Sequence, residues 1–144
     1  MSYQEDWQRL TTRFQDAWVM PNPAAPPDVL PRTPVVLGDQ PQPPPREGGA
    51  FVRVDLRPDG QEQVSIGSPG NDRVRRRWTL LLHIHLNRTA SLDQLHALVD
   101  HAVAVFQGWS EDRLIAATPS LVRVDLRGAW SVAVVAVPIS RDSP

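Results

Sequence analysis

The sequence predicts an α+β domain: an antiparallel or mixed sheet of about four main strands, two helices packed on one face, and a Pro-rich extended arm. Three observations predict it. First, the run from Arg75 to Leu86 alternates as a strand, with Trp78, Leu80, Leu82, Ile84 and Leu86 on one face and Thr79, Leu81, His83 and His85 on the other. The face without polar side chains is the one to bury. Second, Leu92, Leu95, Leu98, Val99, Ala102, Val103 and Phe106 follow at helical spacing. Third, Val52-Arg53-Val54-Asp55-Leu56-Arg57 recurs identically as Val122-Arg123-Val124-Asp125-Leu126-Arg127. Both copies alternate apolar and charged residues, as a strand with one wet face does.

Residues 1–20 read as an N-terminal helix. Ser2 followed by Glu5 has the form of a capping box. Tyr3, Trp7, Leu10, Phe14 and Ala17/Trp18 then make an apolar seam along a helix of about 17 residues. Pro21 and Asn22-Pro23 end it. A seam with two tryptophans and a phenylalanine requires a partner surface, either the protein's own sheet or a neighbouring subunit.

Residues 21–49 carry ten of the fifteen prolines. Such a stretch favours extended, polyproline-like backbone and excludes helix. Within it only Val35-Val36-Leu37 has the composition of a short strand. The run Pro41-Gln42-Pro43-Pro44-Pro45-Arg46 contains a P-x-x-P followed by Arg, so an adaptor role toward an SH3-like partner is one alternative.

Residues 50–139 form the expected sheet and helix core. Each hexapeptide copy leads into turn residues, Pro58-Asp59-Gly60 after the first and Gly128-Ala129 after the second. Strand candidates follow at Glu62–Gly67 and Trp130–Val137, which predicts two β-hairpins. Ser68 to Asp72 reads as a loop. Ser91 with Gln94 is a second capping box, ahead of a helix that Gly108 stops. Trp109 to Arg113 is a polar corner, and Leu114-Ile115-Ala116 adds a short strand before Thr118-Pro119. The final strand is expected to end at Pro138-Ile139, with Ser140 to Pro144 fraying.

Composition removes several function classes. At 144 residues the chain is most simply one domain. A net charge of −1 offers no global field toward nucleic acid or membrane. With no cysteine, disulfides and thiolate chemistry are excluded. No apolar run reaches the ~20 residues of a membrane span. The acidic start Tyr3-Gln4-Glu5-Asp6 is unlike a signal peptide, so synthesis in the cytoplasm is expected.

Chemistry finds little support in the residues. His83 and His85, two apart on one strand face, have a spacing that can serve one metal ion, and a small His-metal enzyme is the alternative from another class. A third ligand is not evident: His96 and His101 are five apart and share no helix face. No nucleophile elbow and no Gly-rich phosphate loop occurs. The pairs Glu5-Asp6 and Glu111-Asp112 read as first-turn and loop solvation. The dense basic cluster is Arg73, Arg75, Arg76 and Arg77, and with Trp7 and Trp18 it supplies the candidate subunit-interface or lumen residues. No catalytic, cofactor or metal residue is assigned.

The layout resembles the tail terminator, or tail completion, proteins of long-tailed bacteriophages. The resemblance rests on the opening helix, the Pro-containing segment, and the strand Ala50-Phe51-Val52-Arg53-Val54. It continues through Arg76-Arg77-Trp78 and its apolar strand, the helix from Ser91 to Phe106, and the last hairpin from Val122 to Ile139. It implies a structural virion protein at the head–tail junction, with no enzymatic activity and no cofactor. Its copies would form a ring, expected to be a hexamer, that caps the head-proximal end of the tail tube. The ring would end tube polymerisation and join the tail to head-connector or head-closure proteins. DNA would pass through without sequence-specific binding, and no membrane is involved. A head-closure or neck adaptor, or another tail-associated ring protein, is the alternative within the same class.

Overall fold

A computed structural model describes residues 3–18, 33–38, 40–41, 49–63, 74–88, 91–111 and 113–143. Helix α1 spans Tyr3–Ala17 and helix α2 Leu92–Phe106. The strands are β1 (Val35–Leu37), β2 (Ala50–Gln63), β3 (Val74–Asn87), β4 (Ser110–Glu111), β5 (Leu114–Ala116), β6 (Ser120–Arg127) and β7 (Trp130–Ser143). They form one mixed sheet in the order β1-β2-β3-β7-β5-β4, with β6 also on β7. Strands β2, β3 and β7 pair antiparallel, whereas β1 lies parallel to β2.

This corrects the expectation of a four-strand sheet in a two-layer domain. The sheet has seven strands and curls into a half-barrel. Its three main strands are 14 residues each. Strands of that length span about 45 Å and accumulate the right-handed twist that rolls a sheet up. Irregularities in register between Pro58 and Gly60, and between Leu121 and Arg123, add local bends.

The curl also explains why burial is not confined to one face. The larger cluster joins Leu10, Phe14 and Trp18 of α1 with Leu95, Leu98, Ala102 and Phe106 of α2. Against them lie Val52 and Val54, then Leu80, Leu82 and Ile84, then Val135, Val137 and Ile139. A second cluster gathers Val36, Phe51, Trp130, Val132 and Val134, with Leu81 beside it. Cross-strand register puts Phe51 opposite His85 and His85 opposite Val132, on the face that alternation turns away from the first cluster.

The first expected hairpin is also corrected. Pro58-Asp59-Gly60 does not turn the chain, because β2 continues along β3 to Gln63, opposite Val74. The extra residue is Asp59, whose carboxylate accepts from the Thr79 hydroxyl and from Arg57 Nε at 3.2 Å. Proline and glycine fit strand interiors at such bulges. The strand expected over Glu62–Gly67 lies outside the described residues beyond Gln63, as does the loop at Ser68 to Asp72.

The C-terminal expectation fails as well. β7 runs through Pro138 to Ser143 and stays paired with β3, Arg76 opposite Arg141 and Val74 opposite Ser143. Arg141 is 2% exposed, and its Nε donates to Asp6 Oδ1 of α1 at 2.7 Å. Asp6 is fully buried. The tail is held by an ion pair to the first helix, so it does not fray, and Asp6 is not first-turn solvation.

Other local expectations meet their structure. Ser91 Oγ accepts from Gln94 N at 3.4 Å and Gln94 Oε1 from Ser91 N at 3.2 Å, the reciprocal capping box. Gly108 follows the α2 C-cap at φ +71°, where only glycine is unstrained. Gly128 at φ +60° makes the two-residue turn between Arg127 and Trp130. Ser2, most of the Pro-rich arm and the P-x-x-P run after Pro41 lie outside the described residues.

Candidate interaction surface

The sequence-selected cluster at the start of β3 is divided by strand alternation. Arg73 lies outside the described residues. Arg75 stands opposite Asp142 by backbone register. Arg76 stands between Gln61 and Arg141 on the face of Trp78, and Arg77 lies on the opposite face, exposed. Trp7 packs half-buried on the larger core cluster. Trp18 is fully buried: its indole N–H donates to Thr33 O at 3.1 Å, and its ring stacks on Phe14 at 5.1 Å and tilts against His101 at 5.0 Å. Both tryptophans therefore spend apolar surface inside the protomer.

His83 and His85 do share a sheet face, but with neighbours that do not make a ligand set. His85 stacks on Phe51 with centroids 4.2 Å apart and meets the edge of Trp130 at 6.1 Å. Its Nδ1 lies 3.1 Å from His83 O. Burial is the largest influence on the imidazole and lowers its pKa to about 4; the hydrogen bond with the His83 backbone opposes it, while the charges of His83, Arg53 and Arg127 push the same way as burial. His83 Nε2 lies 3.6 Å from Asp55 Oδ2. Burial lowers its pKa too, against the opposing pull of Asp55. Both imidazoles are neutral at pH 7. Among the described residues, no group of three or more His, Asp or Glu is placed to hold a metal ion.

Across β2, β3, β7 and β6 the register aligns Arg53, His83, Val134 and Arg123 in one row. The next row aligns Phe51, His85, Val132 and Asp125. Guanidinium groups thus flank a narrow apolar and aromatic strip. Asp125 Oδ2 accepts from Arg123 Nε at 3.0 Å and from Arg127 Nη2 at 3.5 Å, neutralising part of that charge within β6.

The most unusual surface is β6 itself. Leu121 is 44% exposed, Val122 58%, Val124 45% and Leu126 65%. Among the described residues β6 pairs with β7 alone. Leu121, Val124 and Leu126 stand opposite Val135, Ala133 and Ser131, on the face that carries the larger core cluster. They extend that apolar surface into solvent. Sequence reasoning missed this, because the same hexapeptide in β2 is a half-buried strand. Only the pair Leu121-Val122, two successive apolar residues at the strand's start, departs from alternation there, at the register shift between Leu121 and Arg123.

The short strand β1, on the other side of the sheet, is blunted locally. Leu37 N donates to Gln40 Oε1 at 3.0 Å, and Leu37 O accepts from Gln40 N at 3.1 Å. Arg53 Nη1 donates to Gly38 O beside it. The amide side chain thus occupies outward backbone groups of β1, a common way to blunt an edge.

No family model and no curated protein sequence matches this chain. Solved structures do share its fold: one, whose title names no activity, superposes with a TM-score of 0.60 at 16% identity, covering 99% of this chain and 98% of the other. At that identity the likeness is one of fold alone. No helix among the described residues is long and apolar enough to cross a membrane.

Proposed function

We propose that this protein is a structural virion subunit, a tail terminator that assembles in a ring on the head-proximal end of a phage tail tube. In this role it ends tube growth and offers a landing surface to head-connector proteins, while DNA passes through the ring unread. The reading comes from the order of sequence elements and is supported by one observation above others: β6 exposes Leu121, Val122, Val124 and Leu126 together. A contiguous apolar strand on the surface of a small domain marks a contact with other protein. Ring closure requires a head-to-tail contact repeated around an axis, and such a contact is built from apolar surface of this kind. The groups that flank it, Arg123, Asp125 and Arg127, suit the polar rim of an interface.

Electron microscopy of tail tubes polymerised with and without the protein tests the proposal. Capped tubes of limited length, bearing a ring of density at one end, are expected. Tubes that grow equally long and carry no added density refute it.

A further inference from the structure

We propose that, before it meets any other partner, the protein pairs with a second copy of itself along β6, the two strands running antiparallel with Val124 opposite Val124. The inference goes beyond the tail-terminator reading and does not depend on it: a two-fold β6 pair occupies the surface that a head-to-tail ring contact would use, so the pair must open before a ring closes through β6.

The hexapeptide repeat supplies the first argument. In β2, Val52-Arg53-Val54 have strand neighbours on both sides, β1 and β3, and Val52 and Val54 are fully buried under α1 and α2. In β6 the identical residues have, among the described residues, β7 on one side only, and Val122, Val124 and Leu126 are exposed. Relative to Val52–Val54, β6 lacks a second strand at its edge and the helices over its apolar face.

Backbone geometry says where that strand attaches. Arg127 and Trp130 close a two-residue hairpin, so they form a hydrogen-bonded pair. Alternation then directs Arg123 and Asp125 toward β7 as well, opposite Val134 and Val132. The N–H and C=O groups of Val124 and Leu126 therefore point to the free side. A second β6 centred on Val124 exchanges two hydrogen bonds at Val124 and brings Leu126 of each copy opposite Val122 of the other.

Charge selects this register among those the backbone permits. Centring on Val124 places Arg123 of each copy opposite Asp125 of the other, twice per dimer. A shift of the centre to Arg123 or Asp125 sets like charges face to face, which destabilises a sheet pair. Centring on Leu126 drives the partner strand into the Gly128-Ala129 turn. The apolar residues agree: Val122, Val124 and Leu126 of one copy meet Leu126, Val124 and Val122 of the other. β1 is blunted at its own edge, and β2 beyond Val54 has no second strand among the described residues, so β6 is one of several open margins and is distinguished by its exposed apolar side chains.

Sedimentation velocity on the full chain tests the pairing. The protein is expected as a concentration-dependent dimer. Asp125→Arg sets Arg against Arg at two symmetric positions and is expected to raise the dimer dissociation constant at least about tenfold. The charge swap Arg123→Asp/Asp125→Arg restores both cross-strand pairs and is expected to bring dimerisation back. Val124→Pro removes an N–H that faces the free edge, where proline is tolerated, and is expected to give a folded monomer by circular dichroism. A wild-type protein that remains monomeric at ~100 μM, far above micromolar affinity, overturns the inference. So does a swap that fails to rescue, or a Val124→Pro protein that still dimerises. Tube capping is scored separately, so a monomer that still caps tubes sinks the dimer and leaves the terminator reading standing.

Discussion

Replacing Asp6 by Ala is expected to destabilise the protein far more than any surface charge deletion. Asp6 and Arg141 meet at 2.7 Å with side chains 0% and 2% exposed. Two ions this deeply buried have both lost most of their hydration, and their mutual contact is a main offset to that loss. Removing the carboxylate leaves a guanidinium desolvated without the counter-charge it was packed against. Breaking such a pair costs about 3–5 kcal/mol. Unfolding entropy near 2.1 cal/mol/K per residue gives roughly 0.3 kcal/mol/K for a chain of this length, so the melting temperature should fall by about 10–16 °C.

The comparison that decides the matter is Glu111→Ala. Glu111 Oε1 lies 3.6 Å from Arg9 Nη1, but the two side chains are 55% and 34% exposed. Solvent screening holds an exposed pair to about 0–1 kcal/mol, under about 3 °C on the same scale. Differential scanning calorimetry of the two variants side by side measures the gap. If Asp6→Ala melts within a few degrees of Glu111→Ala, then burial is not what gives the pair its weight. The reasoning also requires that Asp6→Leu with Arg141→Met be milder than Asp6→Ala alone, because the double variant leaves no buried charge. A double variant that is worse than the single refutes it.

Three further outcomes follow from the same contacts. Trp18→Ala removes a fully buried indole and its bond to Thr33 O, and should cost about 3–5 kcal/mol in urea unfolding. Ser91→Ala deletes the hydroxyl that caps α2 and should cost about 1 kcal/mol by the same assay. His85, with its pKa lowered from 6.5 to about 4, binds a proton more readily when unfolded. Stability should therefore be fully present above pH 6.5 and be lost as pH falls toward 4, because the unfolded state then takes up protons that the folded state refuses. His85→Phe should flatten that part of the profile, which thermal melts across pH 4–7 will show.

Local structure was legible wherever the chain's own neighbours decide it. Ser91 and Gln94 cap α2 because capping is settled within four residues, and Gly108 and Gly128 mark backbone that only glycine adopts without strain. The buried face of β3 was legible because Trp78, Leu80, Leu82, Ile84 and Leu86 recur at every second position and all are buried. Errors arose where a distant partner overrides local preference. Pro58-Asp59-Gly60 has turn composition, yet pairing with β3 continues through it, and Thr79 supplies a hydroxyl to the bulged Asp59. Ser140 to Ser143 looks like a fraying tail, yet α1 reaches it with Asp6 from 135 residues away in sequence. No period or motif in either segment announces the other.

The exposed strand shows why the interaction surface was harder to read than the fold. Val52 to Arg57 and Val122 to Arg127 are the same six residues, so every local argument returns the same answer for both. Yet Val54 is fully buried and Val124 is 45% exposed. The difference comes from tertiary position: Val54 lies beside β1 and β3 under the helices, and β6 stands at a margin with β7. A sequence that satisfies the buried copy carries apolar side chains that the marginal copy does not need for its own protomer's core. Four such side chains at about 25 cal/mol per Å² of apolar surface are a standing incentive to association. Their persistence on an otherwise polar strand makes sense if β6, like β2, acquires its second neighbour, from outside the chain.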